Sequence, residues 1–294
     1  MKISPRRLLS AINLWLLLIL LFTTPVQAKN TLWQVRSGEH TLYLLGSLHV
    51  LKKDDYPLPP LLEEIYVASD AVVFETDMDA MDTPAMQRKI ITYGKVPTGQ
   101  TLQQQISPRT WQLLQQKLAM LKIPVEKVQQ MKPWLCALTL TVTDLERLGF
   151  LAQYGLDEHF YAKAKKDKKK IIALESVDFQ LSLFYSQSRR EQEEFLLQTL
   201  NDLQVADALS GEMENAWKNG DGEKLYGLIA KSFAGYPKQF KRLVLQRNKN
   251  WLPILEKILS REPVTLVVVG AGHLVGPDSV VDLLRRQGYL VVQR

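Results

Sequence analysis

The chain of 294 residues carries 37 Lys and Arg against 31 Asp and Glu, with 46% apolar and 23% charged residues. That globular composition excludes wholesale disorder, a collagen-like fibre and a polytopic membrane protein. A single cysteine, Cys136, excludes an internal disulfide and a cysteine-based metal cage, and the net charge of +6, which falls to +3 without Lys2, Arg6 and Arg7, gives no argument for a nucleic-acid partner.

In chain order, residues Met1 to Ala28 read as a basic start, an apolar run from Leu8 to Phe22 and a polar stretch ending Val26-Gln27-Ala28. This predicts a secretory signal peptide cut after Ala28, with the mature residues 29–294 in the periplasm. An uncleaved anchor in the inner membrane is the alternative and would be the chain's one membrane contact. Leu32 to Val35, with Ser37-Gly38 before Thr41, predicts the first arm of a hairpin. Leu42 to Leu45, Ala71 to Phe74, Ile171 to Leu174 and Val264 to Val269 are continuous apolar runs without helical spacing, which predicts strands covered on both faces. Tyr289 to Val292 adds a closing strand. Pro59-Pro60 opens a helix with Leu61, Leu62, Ile65 and Ala68 on one face; Ser107-Pro108 opens another with Trp111, Leu114, Leu118 and Leu121. Ser188 and Glu191 have capping-box spacing. The expected fold is a single α/β domain: a mixed, mostly parallel sheet with helical insertions at about 80–150 and 182–260. The basic run Lys163 to Lys170 reads as a solvated helix end.

The chemistry follows the strands. Leu42 to Leu45 leads into Gly46-Ser47-Leu48-His49, Ala71 to Phe74 into Glu75-Thr76-Asp77, Ile171 to Leu174 into Glu175, and Val264 to Val269 into Gly270-Ala271-Gly272-His273. Ligands collect beyond the carboxyl ends of strands in open α/β sheets. Parallel strands would therefore bring two histidines and several carboxylates to one rim. The glycines suggest sharp turns as the chain leaves each strand. Glu75, at the inner end of an apolar strand, needs a cation or donor if it is buried, whereas Asp77 and Asp79 read as solvated. Farther on, Phe240, Val244, Trp251 and Leu255 form an apolar helical stripe that also carries Arg247 and Asn248, with Pro253 expected to kink or restart the helix. A charge on that stripe needs a partner, and the rim carboxylates would supply one. Asp157 reads as a helix-start acid, His159 as partly exposed, and His40 as a turn residue without a role.

Other signals fail. Gly270 to Gly276 departs from the dinucleotide fingerprint in its last glycine, and there is no Walker loop, His-Glu-x-x-His, Gly-x-Ser-x-Gly or Cys-x-x-Cys. The paired Gly-x-x-His motifs, Phe74-Glu75, Gly155-Leu156-Asp157-Glu158-His159-Phe160, Leu174-Glu175 and Arg247-Asn248 together resemble the TraB/GumN family, which includes the animal Tiki proteins. That resemblance covers nearly all of the mature chain. It implies a metal-dependent peptidase using manganese or cobalt, and a fold shared with erythromycin esterases and haem-binding ChaN proteins. On that basis His49 and His273 match the motif histidines and Glu75 the motif glutamate. The leader, and the lack of a carboxyl-terminal anchor, depart from the animal members.

The expected function is an extracytoplasmic metal-dependent hydrolase acting on a peptide or protein substrate. His49 and His273 would bind a divalent ion, Mn, Co or Zn. Glu75 would accept a proton from water or orient it, Arg247 would stabilise an oxyanion, and Glu175 and Asp157 would fix the ligands. The rival readings are a haem- or metal-binding module without catalysis and a metal-independent, esterase-like hydrolase.

Overall fold

The computed structural model describes residues 30–81 and 83–294, so the expected leader lies outside the described residues. Strands β1 (Leu32–Ser37) and β2 (His40–Ser47) form the expected hairpin, with Ser37 opposite His40. Gly38 supplies the left-handed φ of 57° that so short a turn requires. Strands β3 (Ala71–Phe74), β4 (Lys170–Ala173), β5 (Val264–Gly270) and β6 (Leu290–Gln293) complete a six-stranded sheet of order β4-β3-β5-β2-β1-β6. The pairs β2/β5, β3/β5 and β3/β4 are parallel, and β1 is antiparallel to both β2 and β6. Four carboxyl ends therefore share one rim. Within it β5 lies between β2 and β3, with Gly270 level with Ser47 and Val268 level with Phe74.

Burial explains which runs became inner strands. β3 is buried throughout and β5 at all but its first residue, as helices on both faces of a parallel sheet demand. β4 corrects the sequence expectation. It has only β3 beside it, and its ends are exposed and its middle half-buried, because an edge strand lacks the second neighbour that would cover it.

Helices fill the connections: α1 (Pro60–Ala68), α2 (Pro84–Gly94), α3 (Pro108–Met120), α4 (Pro133–Arg147), α5 (Leu156–Lys166), α6 (Val177–Tyr185), α7 (Arg189–Asp202), α8 (Ala206–Lys218), α9 (Gly222–Phe233), α10 (Gln246–Leu259) and α11 (Val280–Arg286). Thr83 caps α2, Ser107 caps α3, and the Ser188–Glu191 box caps α7. On α1 the buried face is Leu62, Ile65 and Tyr66; Ala68 is exposed, since the last turn leaves the sheet. α10 runs through Pro253 without interruption, because the proline sits on its exposed side where a missing donor is tolerated. One π turn over Lys241–Leu245 precedes α10 and shifts its phase, so that Arg247 and Asn248 are both buried.

The main core surrounds the sheet, and a second apolar cluster joins α3, α4 and α7 through Leu114, Leu118, Cys136, Leu140, Leu196 and Leu200. Among the described residues no helix is long and apolar enough to cross a membrane.

Candidate functional site

His49 follows β2, Glu75 follows β3, Glu175 follows β4 and His273 follows β5, so the parallel register delivers all four to one rim. Three of them, His49, Glu75 and His273, meet at Gly270. A methyl group added there would lie 3.3 Å from Glu75 Oε1, 3.4 Å from His49 Nε2 and 3.7 Å from His273 Cδ2. The Gly270 N–H donates to Glu75 Oε1 at 2.8 Å, tying the ends of β5 and β3 together.

The motif glycines serve close approach rather than the sharp turns expected of them. Gly46, Gly155 and Gly270 all have ordinary φ. A Cβ at Gly155 would stand 2.2 Å from the His49 carbonyl oxygen. The Gly155 motif thus packs on the backbone of the first histidine motif, which explains why two distant segments must be matched. Gly46 is similarly crowded by Thr31 and the Ala271 backbone.

Behind the rim lies a buried ionic network. Arg247 Nε donates to Glu175 at 3.0 and 3.2 Å, its NH2 contacts Glu75 Oε2 and lies 2.9 Å from Glu175 Oε2, and its NH1 donates to the Leu243 carbonyl and to His273 Nε2, each at 3.1 Å. His273 donates from Nδ1 to Asn248 Oδ1 at 2.6 Å, and Asn248 donates in turn to the Asp278 carbonyl. This fixes the tautomer: Nδ1 carries the proton and Nε2 keeps its lone pair. The Trp251 ring lies 4.4 Å from that of His273 and beneath Arg247.

Charge follows burial. Removal from water pushes His273 down to about 3, so it is neutral at ordinary pH. Burial alone would raise Glu75, but the cations facing it and the Gly270 N–H outweigh this and hold its carboxyl at about 2. With His273 neutral, Arg247 and the protonated His49 carry that load at physiological pH.

His49 is different. Its side chain is 65% exposed, and its Nδ1 bonds Asp157 Oδ2 at 2.9 Å, while Ser47 Oγ donates to Asp157 Oδ1 at 3.0 Å. The Asp157 carboxylate raises His49 to about 9. Asp157 therefore serves the rim from the first turn of α5, whose N-cap is Gly155. His49 lines a cleft of about 390 Å³ together with the acidic Glu75, Asp157 and Glu158 and the apolar or aromatic Phe74, Met78, Met81 and Tyr161.

The structure thus brings together all six residues singled out from sequence: His49 with Asp157, and Glu75, Glu175 and His273 around Arg247. It alters the place of Arg247, which is buried with every nitrogen committed, so no N–H is free for an oxyanion in this arrangement. Sequence reasoning left Ser47 and Asn248 without roles, although both sit inside motifs already noted. It missed Gln180, one turn beyond Glu175, which lies 3.4 Å from both glutamates; no local signal marks it. His159 pairs with Glu63 beneath Tyr56, away from the rim network.

The donor chemistry fits a divalent ion. Each histidine gives its Nδ1–H to an oxygen partner and turns Nε2 toward the rim, the arrangement that metal-binding imidazoles adopt, and Gly270 leaves room between them and Glu75. Among the described residues no three His, Cys, Asp or Glu side chains form a ready cage; the Arg247 guanidinium stands between His273 and the glutamates.

The sequence profile of the TraB/PrgY/gumN family matches residues 31–293, so the chain belongs to that family. The chain is similar to the uncharacterized protein YbaP of Escherichia coli K12, with 27% identity over 84% of this chain and 89% of that protein. It is 27% identical to the YbaP of Shigella flexneri over 87% of this chain and 97% of the relative. An uncharacterized protein of Treponema pallidum is 20% identical over 88% and 81% of the two chains. No solved structure matches significantly.

Proposed function

We propose that this TraB/PrgY/gumN-family chain is an extracytoplasmic metal-dependent hydrolase, with peptides or proteins as substrates. The observation that carries the reading is the convergence of His49 Nε2, Glu75 Oε1 and the His273 ring about the side-chain-free Gly270, beside a cleft that His49 and Glu75 line. A rim of two oriented imidazoles and an ionised carboxylate suits cation binding and water activation better than a structural role, which needs none of them.

His49 Nε2, His273 Nε2 and Glu75 would hold the ion. Manganese, cobalt or zinc there would polarise a substrate carbonyl and lower the pKa of water. Asp157 and Asn248 hold the two imidazoles in the tautomer that presents Nε2. Glu75, ionised at neutral pH, would share the ion and orient its water. The cleft's Phe74, Met78, Met81 and Tyr161 offer an apolar wall for a substrate side chain. Export rests on the leader pattern of Met1 to Ala28.

A second reading, hydrolysis without an ion, is favoured by one observation: Arg247 already neutralises the glutamates, while His49, held protonated by Asp157, turns its Nε2–H toward the cleft as a proton donor. The test is metal content and cleavage of a peptide panel by the purified mature chain, beside His49→Ala and His273→Ala. Cleavage lost on chelation and in both variants, with the fold intact, supports the metal-dependent reading. Full activity after exhaustive chelation refutes it in favour of the second, and normal rates in both variants refute both.

A further inference from the structure

We propose that Arg247 is a resident cation of this site: it holds the rim together when no metal ion is bound, and it limits how tightly a divalent ion can bind. The inference rests on the metal-dependent reading above. A guanidinium has five N–H donors in a rigid fork. Here Nε faces Glu175, NH1 faces Leu243 O and His273 Nε2, and NH2 faces Glu75 Oε2 and Glu175 Oε2. The side chain is 9% exposed and stacked on Trp251, so it cannot swing to solvent without breaking the network.

Two consequences follow. The lone pair that His273 would give to an ion is already accepting from Arg247 NH1 at 3.1 Å. Any ion joining His273 to Glu75 must displace that contact and sit beside a fixed positive charge. Arg247 NH2 is the cation that Glu75 Oε2 and Glu175 Oε2 share, so without it the two carboxylates would face one another and the pocket would draw a cation from solution. Arg247 thereby sets a ceiling on ion affinity and makes the ion exchangeable.

The test measures Mn²⁺ binding by calorimetry, and thermal unfolding with and without Mn²⁺, for the wild-type chain, Arg247→Met and Arg247→Lys. Met removes the charge and frees His273 Nε2; Lys keeps the charge among the glutamates but cannot span to His273 as well. The expected order of affinity is Met, then Lys, then wild type, with Met tighter than wild type by on the order of tenfold. The Mn²⁺-induced rise in melting temperature should be largest in Met, and His273→Ala should abolish the gain in either background. If Met does not fold without the ion, the Lys variant decides the matter in the same direction. Wild-type binding that neither variant improves overturns this inference and leaves the ion reading standing. An absence of binding in all three overturns both.

Discussion

Gly270→Ala places a single methyl group in the volume where the two histidines and Glu75 meet. Gly270 has φ −50° and ψ 133°, a conformation alanine adopts freely, so no backbone strain is introduced. Replacing glycine there gains about 0.4–1 kcal/mol by restricting the unfolded chain. Against that, the new carbon meets Glu75 Oε1 at 3.3 Å and His49 Nε2 at 3.4 Å, closer than ordinary contact. His49, largely exposed, can yield; Glu75 is tied to the Gly270 N–H and to Arg247 and cannot. Crowding of this kind costs about 1–3 kcal/mol. The net loss is therefore no more than about 2.5 kcal/mol, a fall in melting temperature below about 10 °C for a domain of this size. Function should fall far more, on the order of 100-fold in ion affinity or cleavage, because the methyl displaces groups by a fraction of an ångström at the reacting centre. Gly272→Ala is the control. Its Cβ would meet only the tip of Ile229 at 3.3 Å, so stability and activity should both stay near wild type. Calorimetric Mn²⁺ titration, a peptide-cleavage assay and thermal melts on the two variants suffice. If Gly270→Ala binds and cleaves as well as Gly272→Ala, the shared volume is not where the chemistry happens.

Asn248→Ala removes the acceptor of His273 Nδ1–H from a fully buried position; a loss of roughly 1–3 kcal/mol in urea unfolding is expected, with ion affinity down about tenfold, and unchanged affinity would mean that the tautomer is set elsewhere. For acid stability, the depressed His273 and Glu75 act in the same direction. A histidine held down to about 3 contributes stability present above its ordinary value of 6.5 and lost as pH falls toward 3, and Glu75 contributes stability present above 4.5 and lost toward about 2. With chelator present, His273→Gln should flatten the decline between pH 6.5 and 3; a slope equal to wild type would show that His273 titrates normally. Away from the site, Lys117 is buried against Asp144 at 2.5 Å. Lys117→Met should cost roughly 1–3 kcal/mol, because Asp144 loses its buried cation and keeps only Arg147 while the Leu203 carbonyl loses its donor, and the Lys117→Met/Asp144→Leu pair should recover part of it, as double-mutant melts would show. Gly155→Ala should destabilise the chain more than any of these, since its Cβ has nowhere to go but the His49 carbonyl.

Much of this architecture was legible in the chain itself. Apolar runs without helical spacing marked the strands to within a residue or two, because a strand buried on both faces tolerates nothing else; Ala71 to Phe74 is bounded as expected. Polar residues immediately after those runs marked the rim, since parallel strands must discharge their carboxyl ends on one side. What local pattern could not carry is lateral order. Nothing in Val264 to Val269 says that it lies between β2 and β3, yet that position is what makes Gly270 the common neighbour of His49, Glu75 and His273. Nor could helical spacing say that Arg247 spends its donors inward on two glutamates and a histidine, because hydrogen-bond partners hundreds of atoms apart in sequence are chosen by packing. Residue identity determined which chemistry could be assembled; the order of the strands, set by burial of their faces against the helices, decided which groups touch.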